Sequence, residues 1–244
     1  MVERSDPMRR LVGLVMLVVI LLAGIPVSAA AVVVAPLAQD PVAPAPPTAD
    51  AASLEVQEVL AIATAVAAGG AHTCALTTVG GVLCWGENGA GQLGDSTTVD
   101  RWTPVAVTGL ASGVQSIAAG ANHSCAVTAT GGVKCWGDNA FGQLGDGSKT
   151  DRRAPVDVVG LTGGVRSVAA GGGAVGEHTC AVTSANGMKC WGDNAYGQLG
   201  DSTRTDRLTP VDVSGLASGV RNVAMGELHT CAVTTTGRAV LGRQ

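Results

Sequence analysis

Residues Cys180 to Asp201 read Cys-Ala-Val-Thr-Ser-Ala-Asn-Gly-Met-Lys-Cys-Trp-Gly-Asp-Asn-Ala-Tyr-Gly-Gln-Leu-Gly-Asp. Nearly the same phrase runs from Cys74 to Asp95 and from Cys125 to Asp146, and a fourth copy starts at Cys231. A phrase that recurs in this way is one structural unit written several times. Cys74 and Cys125 are 51 residues apart, as are Cys180 and Cys231. Cys125 and Cys180 are 55 apart, because Gly172-Gly-Ala-Val-Gly176 adds four residues. His72, His123, His178 and His229 keep the same phase, each two residues before a cysteine. These marks set repeats at 66–116, 117–167 and 168–222, with a partial one at 223–244.

Each full repeat holds four strand-like runs. In the first they fall near His72–Thr77, Val82–Gly86, Thr103–Val107 and Val114–Ala118. Gly80-Gly81, Gly131-Gly132 and Asn186-Gly187 separate the first two runs and suit hairpin turns. Pro104, Pro155 and Pro210 suit a strand start or a sheet edge, where a missing N–H is harmless. No 3.6-residue period shows in the repeats, and 35 glycines favour tight turns. Four short antiparallel strands every fifty residues or so form the pattern of a propeller blade. The expected fold is all-β: an incomplete β-propeller of three full blades and part of a fourth, within 61–244.

The text Val66-Ala-Ala-Gly-Gly-Ala-His72, followed by Trp85-Gly-Glu-Asn-Gly-Ala-Gly-Gln-Leu-Gly94, resembles the repeat of the regulator of chromosome condensation family. The resemblance covers about residue 66 to the end. It implies a β-propeller, usually of seven blades. It also implies a structural signature carried by His72, His123, His178 and His229, by Trp85, Trp136 and Trp191, and by Gln92, Gln143 and Gln198. Members range from nuclear guanine-nucleotide exchange factors to secreted bacterial proteins. Exchange activity depends on loops for which this sequence has no matching insertion, so only the fold is carried over.

The cysteines pair ten residues apart: Cys74 with Cys84, Cys125 with Cys135, and Cys180 with Cys190. Each pair is centred on an expected hairpin turn, and residues equidistant from such a turn face each other about 4.5–5.5 Å apart. Disulfides accept that separation. Three intrablade disulfides are therefore expected, with buried free thiols as the alternative. The Cys-x-x-Cys spacing of structural zinc is absent. Cys231 is the odd thiol, since its partner position is Leu241.

The phase of the histidines argues for a task repeated in every blade, such as satisfying buried backbone groups, over metal binding or catalysis. Asp95, Asp146 and Asp201, with Asp100, Asp151 and Asp206, suit polar turns with Asx capping and local pairing to Arg101, Arg152 and Arg207. The calcium-loop pattern is missing. The glycine-rich run from Gly171 to Gly176 lacks the Gly-Lys-Ser/Thr ending of a phosphate loop and suits a lengthened loop. Trp102 stands out of register, opposite Arg153 and Leu208. A partly packed edge residue is expected there, with a binding hot spot as the alternative. No cofactor and no metal are expected.

Arg9 and Arg10 precede an apolar run, Leu11 to Gly24, and small residues Ser28 to Ala31 follow. This is the layout of a secretory signal at 1–30, and Pro26 favours cleavage over the rival signal anchor. Either way the remainder lies outside the cytoplasm. Residues 31–60 hold a Pro/Ala-rich linker. A net charge of −4 with no basic cluster argues against nucleic acid.

In phase, Cys-Trp-Gly-Asp-Asn belongs at position 241, where the chain reads Ala239-Val-Leu-Gly-Arg-Gln244. Permitted codons for that string, read one base later, spell Arg-Cys-Trp-Gly-Asp. A frameshift, and hence an N-terminal fragment of a longer propeller, is expected over a natural degenerate end.

The expected function is non-catalytic binding of an unknown protein or glycan partner, outside the cytoplasm, either secreted or held at the cell surface. Membrane contact would come only through an uncleaved anchor. Self-association through the open propeller end is also expected. The alternatives are an extracellular hydrolase or lyase and, by family analogy, guanine-nucleotide exchange. Catalysis needs an acid–base set confined to one site, and nearly every His, Cys and Asp of the repeats recurs with the period.

Overall fold

A computed structural model describes residues 63–173, 176–237 and the backbone of 239–241. The signal segment expected at 1–30 and the linker expected at 31–60 lie outside the described residues. Fifteen strands form four antiparallel sheets, with no helix among the described residues. The first holds β1 (Ala63–Ala68), β2 (His72–Thr77), β3 (Val82–Gly86) and β4 (Arg101–Ala106), side by side in that order. The second repeats it with β5 (Val114–Ala119), β6 (His123–Thr128), β7 (Val133–Gly137) and β8 (Arg152–Asp157). The third holds β9 (Val165–Gly173), β10 (Gly176–Thr183), β11 (Met188–Gly192) and β12 (Arg207–Asp212). The fourth has β13 (Val220–Met225), β14 (Thr230–Thr234) and β15 (Ala239–Leu241). The sheets are blades of an open, incomplete propeller. Strand β5 packs beside β1 and β9, and β13 beside β9, so the first strand of each blade lines the inner side.

One boundary differs from the sequence reading. The run Val114–Ala118 becomes β5 and opens the second sheet instead of closing the first. Ala118 pairs with Cys125 across β5 and β6, as Ala67 pairs with Cys74 across β1 and β2. A repeat fixes the period of the chain but not where each sheet begins, so the phase was not readable from the text alone.

The β2–β3 hairpin shows why these residues turn where they do. Thr77 N donates to Gly81 O at 2.8 Å, and Gly80 N donates to Thr77 O at 2.9 Å. Gly80 sits at φ +77°, a region open to glycine and, at lower frequency, to asparagine. Asn186 fills the same place in the third blade at φ +61°. The turn sets the register, which puts Cys74 opposite Cys84, Cys125 opposite Cys135 and Cys180 opposite Cys190. Pro104 lies on β4, at the free edge of its sheet, where no ladder bond is lost.

Each core is closed by the next blade. Trp136 joins the cluster of Cys74, Leu76, Cys84 and Leu93, and Trp191 joins that of Cys125, Val127, Cys135 and Leu144. Burying about 200 Å² of ring surface at ~25 cal/mol/Å² contributes roughly 5 kcal/mol per tryptophan as an upper bound. With so few other aromatics, the seams between blades rest largely on these two rings.

Candidate functional site

His72 and His123 open β2 and β6, and His178 is the third residue of β10, all inside the seams. His72 Nε2 lies 2.8 Å from Ser124 Oγ of the next blade, and Ser124 Oγ donates to Gln92 O at 3.0 Å. Trp136 Nε1 donates to the same carbonyl at 2.9 Å. The second seam repeats the design: His123 Nε2 to Thr179 Oγ1 at 2.8 Å, Thr179 Oγ1 to Gln143 O at 2.8 Å, and Trp191 Nε1 to Gln143 O at 2.8 Å. In the third, His178 Nε2 meets Thr230 Oγ1 at 2.8 Å, and Thr230 Oγ1 donates to Gln198 O at 2.8 Å. No indole reaches Gln198 O among the described residues, and a notch opens between Met188, Leu199, Val213, Leu216 and Ala232.

This wiring fixes the tautomers. A carbonyl can only accept, so each hydroxyl spends its proton on the Gln carbonyl and accepts from the imidazole Nε2–H. The other ring nitrogen, Nδ1, is then a bare acceptor in a neutral ring. Nδ1 of His72 and of His178 has no partner and is buried. Burial, helped by the nearby His123, pulls the His72 pKa down to about 4. Burial, then His123 and His229, pulls His178 down to about 3.

His123 differs, because Glu177 Oε2 sits on its Nδ1. The other carboxylate oxygen accepts from Asn122 N and Asn122 Nδ2 at 2.9 and 3.0 Å. With Nε2–H committed to Thr179, one proton must lie between Nδ1 and Oε2. Glu177 has no counterpart: Ala71, Asn122 and Leu228 hold its place in the other blades. Sequence reasoning missed it because it searched for residues that recur. Its non-periodic acid, beside the four-residue insertion, was the available signal. The insertion lengthens β9 and β10, and Glu177 pairs with Gly172 in the ladder. Gly172 lies at φ +141°, and a Cβ there would come within 2.6 Å of the Glu177 side chain. A Cβ on Gly176 would strike the Asp193 carboxylate, which would have to turn aside, whereas at Gly172 the backbone conformation itself favours glycine. Burial, then Glu177 and Asp151, push the Asp138 carboxyl upward.

Glu177, His123 and Thr179 look like a carboxylate–imidazole–hydroxyl relay. Nucleophilic catalysis needs a hydroxyl that gives its proton to the imidazole and can reach a substrate. Here the proton points to Gln143 O, and His123 and Thr179 are fully buried. The other seams hold the same His–hydroxyl–carbonyl chain without the acid. The relay ties blades together.

The long loops are organised by an asparagine that the sequence reading did not single out, although Trp-Gly-x-Asn recurs. Asn88 Nδ2 donates to Asp95 Oδ1, Thr97 O and Val99 O, and its Oδ1 accepts from Leu93 N. Asn139 and Asn194 do the same in their blades. Asp95, Asp146 and Asp201 cap the turn and meet Arg101, Arg152 and Arg207 at 3.0, 2.7 and 2.7 Å. Burial pushes these three carboxyls upward, but hydrogen bonds from Thr97, Ser148 and Thr203 and from the arginines outweigh it and hold them low. Asp100, Asp151 and Asp206 accept from the backbone of the three asparagines. Sulfurs of the three cysteine pairs lie 2.08, 2.09 and 2.10 Å apart, with Cα atoms 4.1 Å apart. Cys231 is unpaired, and Leu241 stands opposite it.

Trp102 corrects an expectation. It is 89% exposed and not a packed edge residue. Arg153 packs over Gly91 of the preceding blade, and Leu208 over Gly142. No described residue supplies such a loop to Trp102.

The regulator of chromosome condensation (RCC1) repeat matches residues 79–127, 130–182 and 190–233, and a second form of it matches 63–92 and 114–143. This chain belongs to the RCC1 repeat family. The ultraviolet-B receptor UVR8 of Arabidopsis thaliana is 34% identical over 175 residues, which cover 71% of this chain and 39% of the receptor. The human probable E3 ubiquitin-protein ligase HERC4 is 36% identical over 178 residues, covering 71% of this chain and 16% of the ligase. Among solved structures, human WBSCR16 superposes with a TM-score of 0.63 at 26% identity, over 74% of this chain and 46% of that one. Prp20p of Saccharomyces cerevisiae gives 0.62 at 25%, over 74% and 45%. The chain spans less than half the length of each of these relatives.

Within the RCC1 repeats, constancy and exposure part company. The asparagines and glutamines common to all three long loops are buried. Several long-loop positions that change from blade to blade face outward. They include Tyr196 in place of Ala90 and Phe141, Arg204 in place of Thr98 and Lys149, and Trp102.

Proposed function

We infer that the chain is an exported, non-catalytic RCC1-repeat module that binds a protein or a glycan outside the cytoplasm. One observation carries this. Groups able to do chemistry are spent on holding blades together, while the long-loop end presents side chains that differ between blades. A scaffold with one variable end is how propellers obtain specificity. Half-exposed Tyr196 and exposed Trp102 offer large contact area at low entropic cost. Family precedent for protein partners exists: the yeast relative Prp20p was studied for its binding to Gsp1p and histones. The apolar run after Arg9 and Arg10 and the three close cysteine pairs support an oxidising, extracytoplasmic location.

The test is an array of glycans and cell-surface proteins probed with the wild type and with a Tyr196→Ala, Trp102→Ala double variant. Retention of one ligand by the wild type and its loss in the variant is the expected result. Turnover of an arrayed substrate, or binding indifferent to the variant, would overturn the reading. Recovery of the chain only from cytoplasm, with reduced cysteines, would overturn its location.

A further inference from the structure

Asn-Gly occurs twice in this chain, at Asn88-Gly89 and at Asn186-Gly187. The pair carries its own chemistry, because glycine has no Cβ to shield a backbone nitrogen that stands one residue from a carboxamide. The fold treats the two pairs differently. Asn88 is fully buried and pinned. Its Nδ2 donates to Asp95 Oδ1, Thr97 O and Val99 O at 3.1, 3.2 and 3.1 Å, and its Oδ1 accepts from Leu93 N at 3.0 Å. While these bonds hold, the carboxamide cannot turn toward Gly89 N.

Asn186 is half-buried in the turn between β10 and β11, and among the described residues nothing hydrogen-bonds its side chain. The turn itself dictates the pair. Asn186, at φ +61°, stands where the other blades have Gly80 at +77° and Gly131 at +79°, a region that admits glycine or asparagine. At the next position, a Cβ on Gly187 would come within 2.7 Å of the backbone oxygen of Ala217, which keeps that residue glycine. Gly80-Gly81 and Gly131-Gly132 meet the same demands without a carboxamide.

We infer that Asn186 is a site of spontaneous deamidation to aspartate and isoaspartate. Gly187 N gives its proton to solvent and attacks Asn186 Cγ. The Cγ–Nδ2 bond breaks, ammonia leaves with a proton returned from solvent, and a five-membered succinimide closes. Water then opens the ring. Cleavage at Cγ gives aspartate, and cleavage at the main-chain carbonyl gives isoaspartate, whose backbone runs through Cγ and is one carbon longer. In the closed turn Gly187 N donates to Thr183 Oγ1 at 3.0 Å. Attack therefore starts from a locally opened turn, and the Thr183 hydroxyl is its latch.

The change reaches the next blade. Asn186 O accepts from Val220 N at 2.8 Å, as Gly80 O does from Val114 N and Gly131 O from Val165 N, both at 2.9 Å. These bonds tie each hairpin to the first strand of the following sheet. The longer backbone of isoaspartate moves that carbonyl and frees Val220 N.

The test ages the full, oxidised chain in mildly alkaline buffer and maps peptides by a method that separates asparagine, aspartate and isoaspartate. Product at Asn186 should exceed product at Asn88 by about tenfold or more, the factor that giving up one or two hydrogen bonds at Asn88 already implies. Thr183→Val should speed the reaction at Asn186 by roughly two- to tenfold, the worth of the one bond it removes. Amide exchange should show Val220 losing protection with age while Val114 and Val165 keep theirs. Asn186→Gly copies the residue of the other two blades, keeps the turn, and should age without loss at Val220. Unmodified Asn186 in the folded chain, after a time in which the denatured and reduced chain reacts at both pairs, would overturn the site. So would equal product at Asn88. A Thr183→Val chain that folds and reacts no faster would overturn the latch, and unchanged protection of Val220 in the isoaspartate form would overturn the reach of the lesion.

Discussion

The first and second seams are built from the same parts and end in different chemistry. Where the first blade meets the second, His72 reaches Ser124 through Nε2 and leaves Nδ1 bare. Where the second meets the third, His123 reaches Thr179 in the same way, but Glu177 occupies the space before Nδ1 and binds Asn122 with its other oxygen. An unsatisfied buried acceptor costs about 1–3 kcal/mol. The repeat carries that cost at His72 and His178 and avoids it at His123. In exchange the second seam holds a carboxyl that is almost fully buried and tolerable only while paired. A uniform repeat can therefore hold one specialised joint, and four inserted residues with their glycines suffice to create it.

Removing the acid should give the largest effect. Glu177→Ala leaves the buried His123 Nδ1 and two donors of part-buried Asn122 unpaired, a loss of about 3–5 kcal/mol by analogy with broken buried pairs. Urea unfolding of the oxidised chain would measure it. Glu177→Gln should recover much of the loss, because an amide oxygen can still accept from Asn122 while its NH₂ donates to Nδ1. If Glu177→Ala unfolds within 0.5 kcal/mol of wild type, an ordinary surface value, the two seams are equivalent and the comparison collapses.

Acid should expose the opposite weakness in the other two seams. His72 and His178 are neutral in the fold, with values of about 4 and about 3, against 6.5 for the free side chain. Below pH 6.5 the unfolded chain binds protons that the folded chain refuses. Stability therefore falls as pH drops from 6.5 to about 4 for His72 and to about 3 for His178, and is flat below. Shifts of that size are worth roughly 3 kcal/mol for His72 and roughly 5 kcal/mol for His178 at their full extent. Asp95, Asp146 and Asp201 are held low and contribute above the ordinary carboxylate range, losing that support only at lower pH. Asp138 is held high and opposes them there. Comparing urea midpoints at pH 7 and 4.5 keeps these carboxylates largely out of the window. A His72→Gln, His178→Gln double variant should show a much smaller difference between the two pH values. An equal difference in wild type and variant would place the acid sensitivity elsewhere.

How much of this was legible follows from what recurs. The hairpins, the cysteine register and the Asp–Arg turns are local, set by residues within about a dozen positions, and the text displayed them three times over. The seams join residues 32 to 56 positions apart, and their side chains meet only after the sheets have formed and stacked. Histidine, tryptophan and glutamine could be recognised as repeated parts, but not which part of one blade meets which part of the next. Glu177 was hidden for the opposite reason, because a residue present once looks like surface variation until its burial is known. Trp102 misled because its counterparts Arg153 and Leu208 pack on loops that no described residue provides to the first blade.

Parts shared by both seams should respond alike, which sharpens the contrast. Replacing Cys74 and Cys84 by alanine, or Cys125 and Cys135, opens loops of the same length. Each replacement should cost roughly 2–3 kcal/mol on the chain-entropy view, equally in the two blades. The same denaturation series reads both. A blade-two loss well beyond the blade-one loss would mean that the Glu177 joint amplifies strain in its own blade, and the seams could not be compared part by part.

The smallest effect belongs to the arginines of the long loops. Arg101 and Arg152 reach Asp95 and Asp146 at 3.0 and 2.7 Å, with their side chains 37% and 39% exposed. Water screens pairs this open, so Arg101→Gln and Arg152→Gln should each cost only about 0.2–1 kcal/mol. The aspartates keep other donors: Thr97 and Asn88 hold Asp95, and Ser148 and Asn139 hold Asp146. The loop therefore does not open when its arginine is lost. Raising salt toward 1 M, where charge interactions reach only ~3 Å, should erase most of the difference from wild type. Glu177 lies in the interior and should show no comparable salt relief. The two responses, measured on one protein in one titration, separate a pair that water already shares from a pair that the fold has enclosed. If Arg152→Gln costs as much as Glu177→Ala, or if salt relieves both alike, then burial is not what distinguishes the second seam.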